Sequence, residues 1–381
     1  MYIALENILE NHVFESATVL AGKSGLKKKV NRVTVFDCPL NLGTDYDSIL
    51  MEGDIFITCL EQFGGEDQNV DEFIRLLVGS KAAGILMITE DNISCLTDES
   101  YDICNENGLP LVLLKEDIPY AVLMDTINKY ISIDNLNAMN MLKLDKIING
   151  DDTVSAKMKL LDSINPNIKK YIRVLDVLGT FNSELTKIST IRNYISSNND
   201  IFVDCNDHMT LIISEEDEKK LQHHFDVTIS KIKDDISEPV LGYSRVFLRK
   251  EISQALEESK KALTTAETMG IKLHVYDPIS SLQLMLSLRD TKEAEDYYNA
   301  YVAAIGSKVS SENLIELMRT IETYVANNGS YQKTAMDLKQ HENTIRYRVN
   351  KVKEALNMED DTIHFHETIA IASKLRVLLG K

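Results

Sequence analysis

The chain of 381 residues carries 41 Lys+Arg against 59 Asp+Glu, a formal charge of −18, with 44% hydrophobic and 26% charged residues. Such a length holds two to four domains at roughly 100–200 residues each. The balance excludes a disordered chain, and only six Pro and sixteen Gly exclude collagen-like or low-complexity architectures.

The opening, Met1-Tyr2-Ile3-Ala4-Leu5-Glu6, has no basic n-region, and apolar runs such as Ala82–Thr89 fall far short of the ~20 residues of a membrane span. Five scattered cysteines (Cys38, Cys59, Cys95, Cys104, Cys205) without a C-x-x-C pair fit reduced thiols rather than a disulfide framework or a zinc site. A cytoplasmic protein with no membrane partner is expected.

From residue 1 to about 133, short apolar runs alternate with helical patterns. Val30–Phe36, Asp54–Cys59, Gly84–Thr89 and Leu109–Leu114 read as buried strands, with helices over Asn69–Ser80 and Asp98–Asn107 between them. This alternation predicts an α/β layer with a largely parallel sheet. The segment holds 9 Lys+Arg and 22 Asp+Glu, so −13 of the charge sits here. Ligands of open α/β sheets bind beyond the carboxyl ends of strands, which makes Asp37, Cys38, Thr58, Glu61 and Thr89 the candidate effector residues. Acidic surroundings there favour a cationic or zwitterionic metabolite. Lys27-Lys28-Lys29 with Arg32 reads as a solvated turn before a strand, and Gly64-Gly65 lacks the flanks of a phosphate loop.

Pro119 to about Gly150 is helical, with Leu123, Ile127, Tyr130, Ile131, Leu136, Met139, Leu142 and Ile147 apolar but in no clean heptad. Tyr171–Leu178 is then a strand, Asn182–Ser197 a helix, and Ile201–Asp204 and Met209–Ser214 a hairpin around Cys205-Asn206-Asp207-His208. Helices over Glu215–Asp234 and Arg249–Met269 and strands over Pro239–Tyr243 and Lys272–Tyr276 complete a mixed sheet covered by helices.

Near the C-terminus a helix from about Ser311 to Asn327 carries the stripe Leu314, Leu317, Met318, Ile321, Tyr324 and Val325, and Asn327-Asn328-Gly329 stops it. Ser330 can cap a short helix over Tyr331–Leu338, Lys339-Gln340-His341 form a turn, and a further helix runs from Glu342 to about Leu356. In that last helix Ile345, Val349, Val352 and Leu356 make one buried stripe. Opposite and beside it lie Asn343, Thr344, Arg346, Tyr347, Arg348, Asn350, Lys351 and Lys353. Asn and Arg can pair with base edges, and Lys and Arg neutralise phosphates. Helix, three-residue turn and polar-basic helix is the layout of a helix-turn-helix, whose second helix enters the major groove. Two histidines at i, i+2, His364 and His366, diverge on a helix and are not expected to hold metal.

The string Ala335-x-x-Leu338-x-x-His341-Glu342-Asn343-Thr344-Ile345-Arg346-Tyr347-Arg348-Val349 resembles the C-terminal helix-turn-helix of PucR-family bacterial transcriptional regulators, over roughly Leu314 to Leu378. Ala21-Gly22, Val30–Asp37, Gly53–Thr58 and Pro110–Leu113 look like the N-terminal domain of the same family. Residues 171–277, including the ending Ala262 to Pro278, resemble its degenerate GGDEF-like domain. One departure is Glu342, where members often carry a basic residue or Pro.

The resemblance implies a multidomain α/β plus α protein. Its parts would be an N-terminal α/β sensory domain (1–133), a helical linker (134–170), a central GGDEF-like α+β domain (171–280), a second helical linker (281–310) and an all-α helix-turn-helix domain (311–381). It implies a sequence-specific regulator, often an activator, of a catabolic operon. DNA would be held by Lys339, His341, Asn343, Thr344, Arg346, Tyr347, Arg348, Asn350 and Lys351. The implied partners are double-stranded DNA, a small-molecule effector, a second copy of the chain and RNA polymerase. No catalytic residue, metal or cofactor is implied, since Cys205-Asn206-Asp207-His208 lacks the glycines and paired acids of a working cyclase hairpin. The competing readings are a nucleotide-binding or cyclase-type signalling protein acting through the central domain, and an interaction scaffold that has lost DNA binding.

Overall fold

The computed structural model describes residues 3–40, 44–64, 69–88, 91–115, 118–182, 186–187, 189–190, 193, 199–205 and 207–381. The chain divides into two compact units, residues 1–239 with 246–256, and residues 240–245 with 257–381.

The first unit begins with a five-stranded sheet built from β1 (Ala17–Ala21), β2 (Arg32–Val35), β3 (Asp54–Thr58), β4 (Gly84–Met87) and β5 (Leu111–Leu114), in the order β1-β5-β4-β3-β2. The four expected strands run parallel. β1 was not foreseen, and it pairs antiparallel with β5. A short helix, α1 (Leu5–Leu9), precedes β1, while α2 (Val70–Gly79) lies between β3 and β4 and α3 (Asp98–Asn107) between β4 and β5.

Alternation along β3 sorts the core into two layers. Ile55 and Ile57 join a cluster with Leu5, Ile8, Val112, Leu123 and Ile127, while Phe56 faces Phe73, Ile74, Leu77 and Cys104. Both faces of the central strands are covered, hence their unbroken apolar runs.

A single helix, α4, runs from Tyr120 to Asn149. The boundary expected at 133/134 therefore falls inside a continuous element. Its first half, through Leu123, Ile127, Tyr130 and Ile131, packs on the N-terminal sheet. Its second half, through Leu144 and Ile147, packs with α5 (Val154–Ile164) on the central layer.

That central layer contains β6 (Tyr171–Phe181), β7 (Ile201–Asp204), β8 (Met209–Glu215) and the first part of β9 (Ile236–Tyr243), ordered β9-β6-β8-β7, with β10 (Phe247–Leu248) on β6. α6 (Glu218–Asp235) covers it. The helix expected over Asn182–Ser197 lies largely outside the described residues.

In the second unit, α7 (Ile252–Met269) ends and β11 (Leu273–Val275) pairs in parallel with Leu241–Tyr243. A helical bundle follows: α8 (Ser281–Met285), α9 (Lys292–Gly306), α10 (Ser311–Ala326), α11 (Tyr331–Leu338), α12 (Glu342–Leu356) and α13 (Thr362–Leu378). The stretch expected as a linker, 281–310, is part of this bundle. Tyr301 and Ile305 of α9 are buried with Leu317, Ile321, Ile345, Val349 and Phe365, because α9 carries its own apolar stripe, Ala294, Tyr298, Tyr301 and Ile305.

Candidate nucleic-acid interface

Local chemistry fixes the α11–α12 pair. Asn328 and Gly329, with φ of +52° and +76°, reverse the chain after α10, and the Ser330 hydroxyl accepts from the Lys333 amide at 3.3 Å to start α11. Lys339 ends that helix in the left-handed region (φ +52°, ψ +44°), where the Gln340 amide reaches back to the Ala335 carbonyl at 2.9 Å. His341 then caps α12, its Nδ1 accepting from the Asn343 amide at 3.2 Å. That bond requires the Nδ1 position to be unprotonated. Ile345, Val349, Val352 and Ala355 anchor α12 in the bundle core, and the small, buried Ala335 lets α11 lie close to it.

The anchored stripe leaves Asn343, Arg346, Tyr347 and Asn350 exposed, together with Lys339 and His341 in the turn. The side-chain amides of Asn343 and Asn350 bond to no described residue, which leaves their donors and acceptors available to base edges. Lys351 lies 5.1 Å from the Tyr347 ring centre, and hydrogen bonding to that phenol raises the ammonium's pKa, so its charge is secure. Thr344 is half-buried, its amide closing the first turn on the His341 carbonyl at 2.9 Å.

Arg348 is placed differently from its expected neighbours. Its guanidinium turns inward to Glu316 and to the Thr320 hydroxyl (3.3 Å) on α10, so it ties two helices together.

Arg346 makes two bonds to one Glu342 oxygen, from Nε at 3.1 Å and from Nη2 at 2.7 Å, and its guanidinium carbon lies 4.4 Å from the Tyr331 ring centre. Tyr331 in turn packs on Tyr324, ring centres 5.0 Å apart. Burial above all raises the pKa of the Tyr324 phenol. Its hydroxyl lies 3.3 Å from His366 Nε2, while His366 Nδ1 is 2.8 Å from the Thr362 carbonyl. A carbonyl only accepts, so Nδ1 carries the hydrogen in that contact. Sequence reading missed Tyr331 and Glu316 as partners of this surface. Only the i, i+4 spacing of Glu342 and Arg346 signalled their pairing.

The effector candidates are divided. Asp37 and Thr58 come together: the Asp37 carboxylate accepts from the Thr58 hydroxyl (2.9 Å), the Cys59 amide (3.0 Å) and the Tyr120 hydroxyl at the start of α4. Burial, then the hydrogen bond to Asp37, drives the Tyr120 pKa up. Cys38 and Glu61 are exposed, and Thr89 lies outside the described residues. Tyr120, the added member, is 83 residues from Asp37 and carried no local signal.

At the central hairpin Thr210 donates to the buried Asp176 at 2.7 Å and Lys187 sits 2.7 Å from Asp204. Among the described residues no group of three His, Cys, Asp or Glu is arranged to hold a metal, and no helix is long and apolar enough to cross a membrane.

Fold and site together define a chain with a C-terminal helix-turn-helix and an N-terminal α/β domain. Residues 7–131 match the purine catabolism regulatory protein-like family, and residues 317–375 match the PucR C-terminal helix-turn-helix domain. Both ends of the chain are thus similar to domains of PucR-type regulators. Over 112 residues it is 29% identical to the proline-responsive transcriptional activator PutR of Bacillus subtilis (strain 168), a stretch that is 29% of this chain and 27% of that protein. The match thus spans about a quarter of that relative's length. A solved regulator of polyketide synthase expression from Bifidobacterium adolescentis is 16% identical with a TM-score of 0.30, covering 64% of this chain and 96% of that one.

Proposed function

We propose that the protein is a sequence-specific DNA-binding transcription regulator that activates a catabolic operon in response to a small metabolite. One observation carries this reading: the second helix of a helix-turn-helix exposes Asn343, Arg346, Tyr347 and Asn350 while its opposite stripe is fixed in the bundle core. In this geometry α12 enters the major groove by its N-terminal end, with Asn343 and Arg346 on base edges and Lys339 and Lys351 on phosphates. Two-fold operators reward two such helices, so the working form is a homodimer, and activation would bring RNA polymerase to the promoter. That PutR is named a proline-responsive transcriptional activator supports the assignment of activation and effector control.

We place the effector in the N-terminal α/β domain, beyond the carboxyl ends of β2 and β3, where Asp37 and Thr58 meet. The carboxylate suits the ammonium of a cationic or zwitterionic metabolite. The central layer, with its β-hairpin and covering helices, serves in this reading as a degenerate GGDEF-like scaffold, and its tip offers no glycines or paired acids for a nucleotide and its metal.

Anisotropy titration of full-length protein on the DNA upstream of its own gene, with and without competing random duplex, tests the assignment. Preferential retention of the upstream duplex is expected, and equal competition by random DNA overturns it. Turnover of a nucleoside triphosphate with magnesium would establish the signalling-enzyme reading instead.

A further inference from the structure

We infer that Glu342 and Tyr331 hold Arg346 as a guanine reader, so that Glu342 is a specificity-determining positioning residue of the interface. The inference rests on the DNA-binding reading and deepens it.

A guanidinium presents five N–H groups in a rigid fork. In Arg346 the Nε and one Nη2 hydrogen are taken by the same Glu342 oxygen, and the guanidinium sits against the Tyr331 ring. What remains is the end of the fork, Nη1 with the second Nη2 hydrogen, and Nη1 bonds to no described residue. Two parallel N–H groups at that end match O6 and N7 of guanine.

The platform is itself fixed, because Tyr331 packs on Tyr324 and Tyr324 is tied to His366. An unrestrained arginine meets a phosphate as readily as a base, whereas one held on an edge and a face has less freedom to lose on docking. Glu342 acts in a second way. An acceptor-only carboxylate beside the reader repels phosphate oxygens, which penalises misregistered and random binding while leaving the cytosine amino group as a permitted neighbour. The acid that looks out of place at the start of a DNA-contacting helix thus favours selectivity over affinity.

Selection of full-length protein against a duplex library with a randomised core supplies the motif. Anisotropy on the selected duplex, and on versions with each guanine replaced by adenine, then measures discrimination. Wild type is expected to enrich one required guanine per half-site and to discriminate about tenfold or more at it. In Glu342→Gln, near-isosteric and partly exposed, discrimination at that guanine should fall about tenfold while affinity for random duplex rises. A loss of structure would lower both. Tyr331→Phe should keep discrimination and Tyr331→Leu should lose it; if the leucine variant does not fold, Glu342→Gln and Tyr331→Phe decide. An unchanged motif and unchanged discrimination in Glu342→Gln overturn the inference and leave the DNA-binding reading standing. If wild type enriches no sequence and binds no duplex, both fall.

Discussion

Lys339 occupies a backbone conformation that costs an L-residue about 1 kcal/mol and that glycine adopts freely. Two substitutions there separate fold from function. Lys339→Gly should raise resistance to urea, by up to about 1 kcal/mol, while weakening DNA binding. Lys339→Ala should weaken binding to the same extent without that gain, across all sequences alike, and lower the slope of log affinity against log salt by about one. An unchanged slope in both would remove Lys339 from the phosphate contacts. Arg348 shows where reading a helix by its polar residues stops. It lies three residues after Ile345 and four before Val352, so it flanks the buried stripe, and a side chain of that length reaches back to α10. Arg348→Ala should therefore lower stability in urea by about 1 kcal/mol and leave base discrimination unchanged. A selective loss of discrimination would return it to the DNA face.

At the scale of elements, α4 was legible from its helical period, but its partners were not. The Tyr120 hydroxyl meets Asp37, and Asn137 bonds both backbone atoms of Asp204, donating to the carbonyl (3.0 Å) and accepting from the amide (2.9 Å). Those contacts are 83 and 67 residues apart in sequence, beyond any local pattern. Asn137→Ala would remove both of these buried bonds at the end of β7, a loss of about 2 kcal/mol in denaturant unfolding. Little change would mean that water replaces the amide.

The α6–β7 junction should be pH-sensitive. His224 lies 3.0 Å from Asp200 and 3.2 Å from Glu215, and the hydrogen bond to Asp200 above all raises its pKa. A raised imidazole pKa stabilises the fold fully below the unfolded value of about 6.5 and ceases to do so as pH climbs through the folded one. The melting temperature of wild type relative to His224→Gln should thus be highest in mild acid and decline as pH rises above about 6.5. A pH-independent difference would show that the pair of carboxylates does not hold the charged ring.

For the whole molecule, the four parallel strands were visible as unbroken apolar runs. β1 escaped because Ala17–Ala21 is an edge strand of which only Ala21 is buried, and its partner β5 lies ninety or more residues on. The 281–310 stretch escaped because a helix packed into a bundle and a helix joining two domains share one amphipathic pattern. Charge is the remaining whole-chain property. Residues 1–133 carry −13 of the −18, whereas Glu342–Leu356 is +2. Screening over about 8 Å at physiological salt limits how far charges elsewhere in the chain can cancel that local surplus. Long-range repulsion would still suppress loose binding, so lowering the salt should strengthen random-duplex binding less than in a basic regulator.

The most direct test is the ratio of affinities of full-length protein for its upstream duplex and for a scrambled duplex of the same composition, in wild type and in Asn343→Ala at matched salt. The expected ratio is at least about a hundredfold in wild type, collapsing by about tenfold in the variant with its fold intact by circular dichroism. A wild-type ratio near one, or a ratio that Asn343→Ala leaves untouched, would contradict the assignment of α12 as the helix that reads DNA.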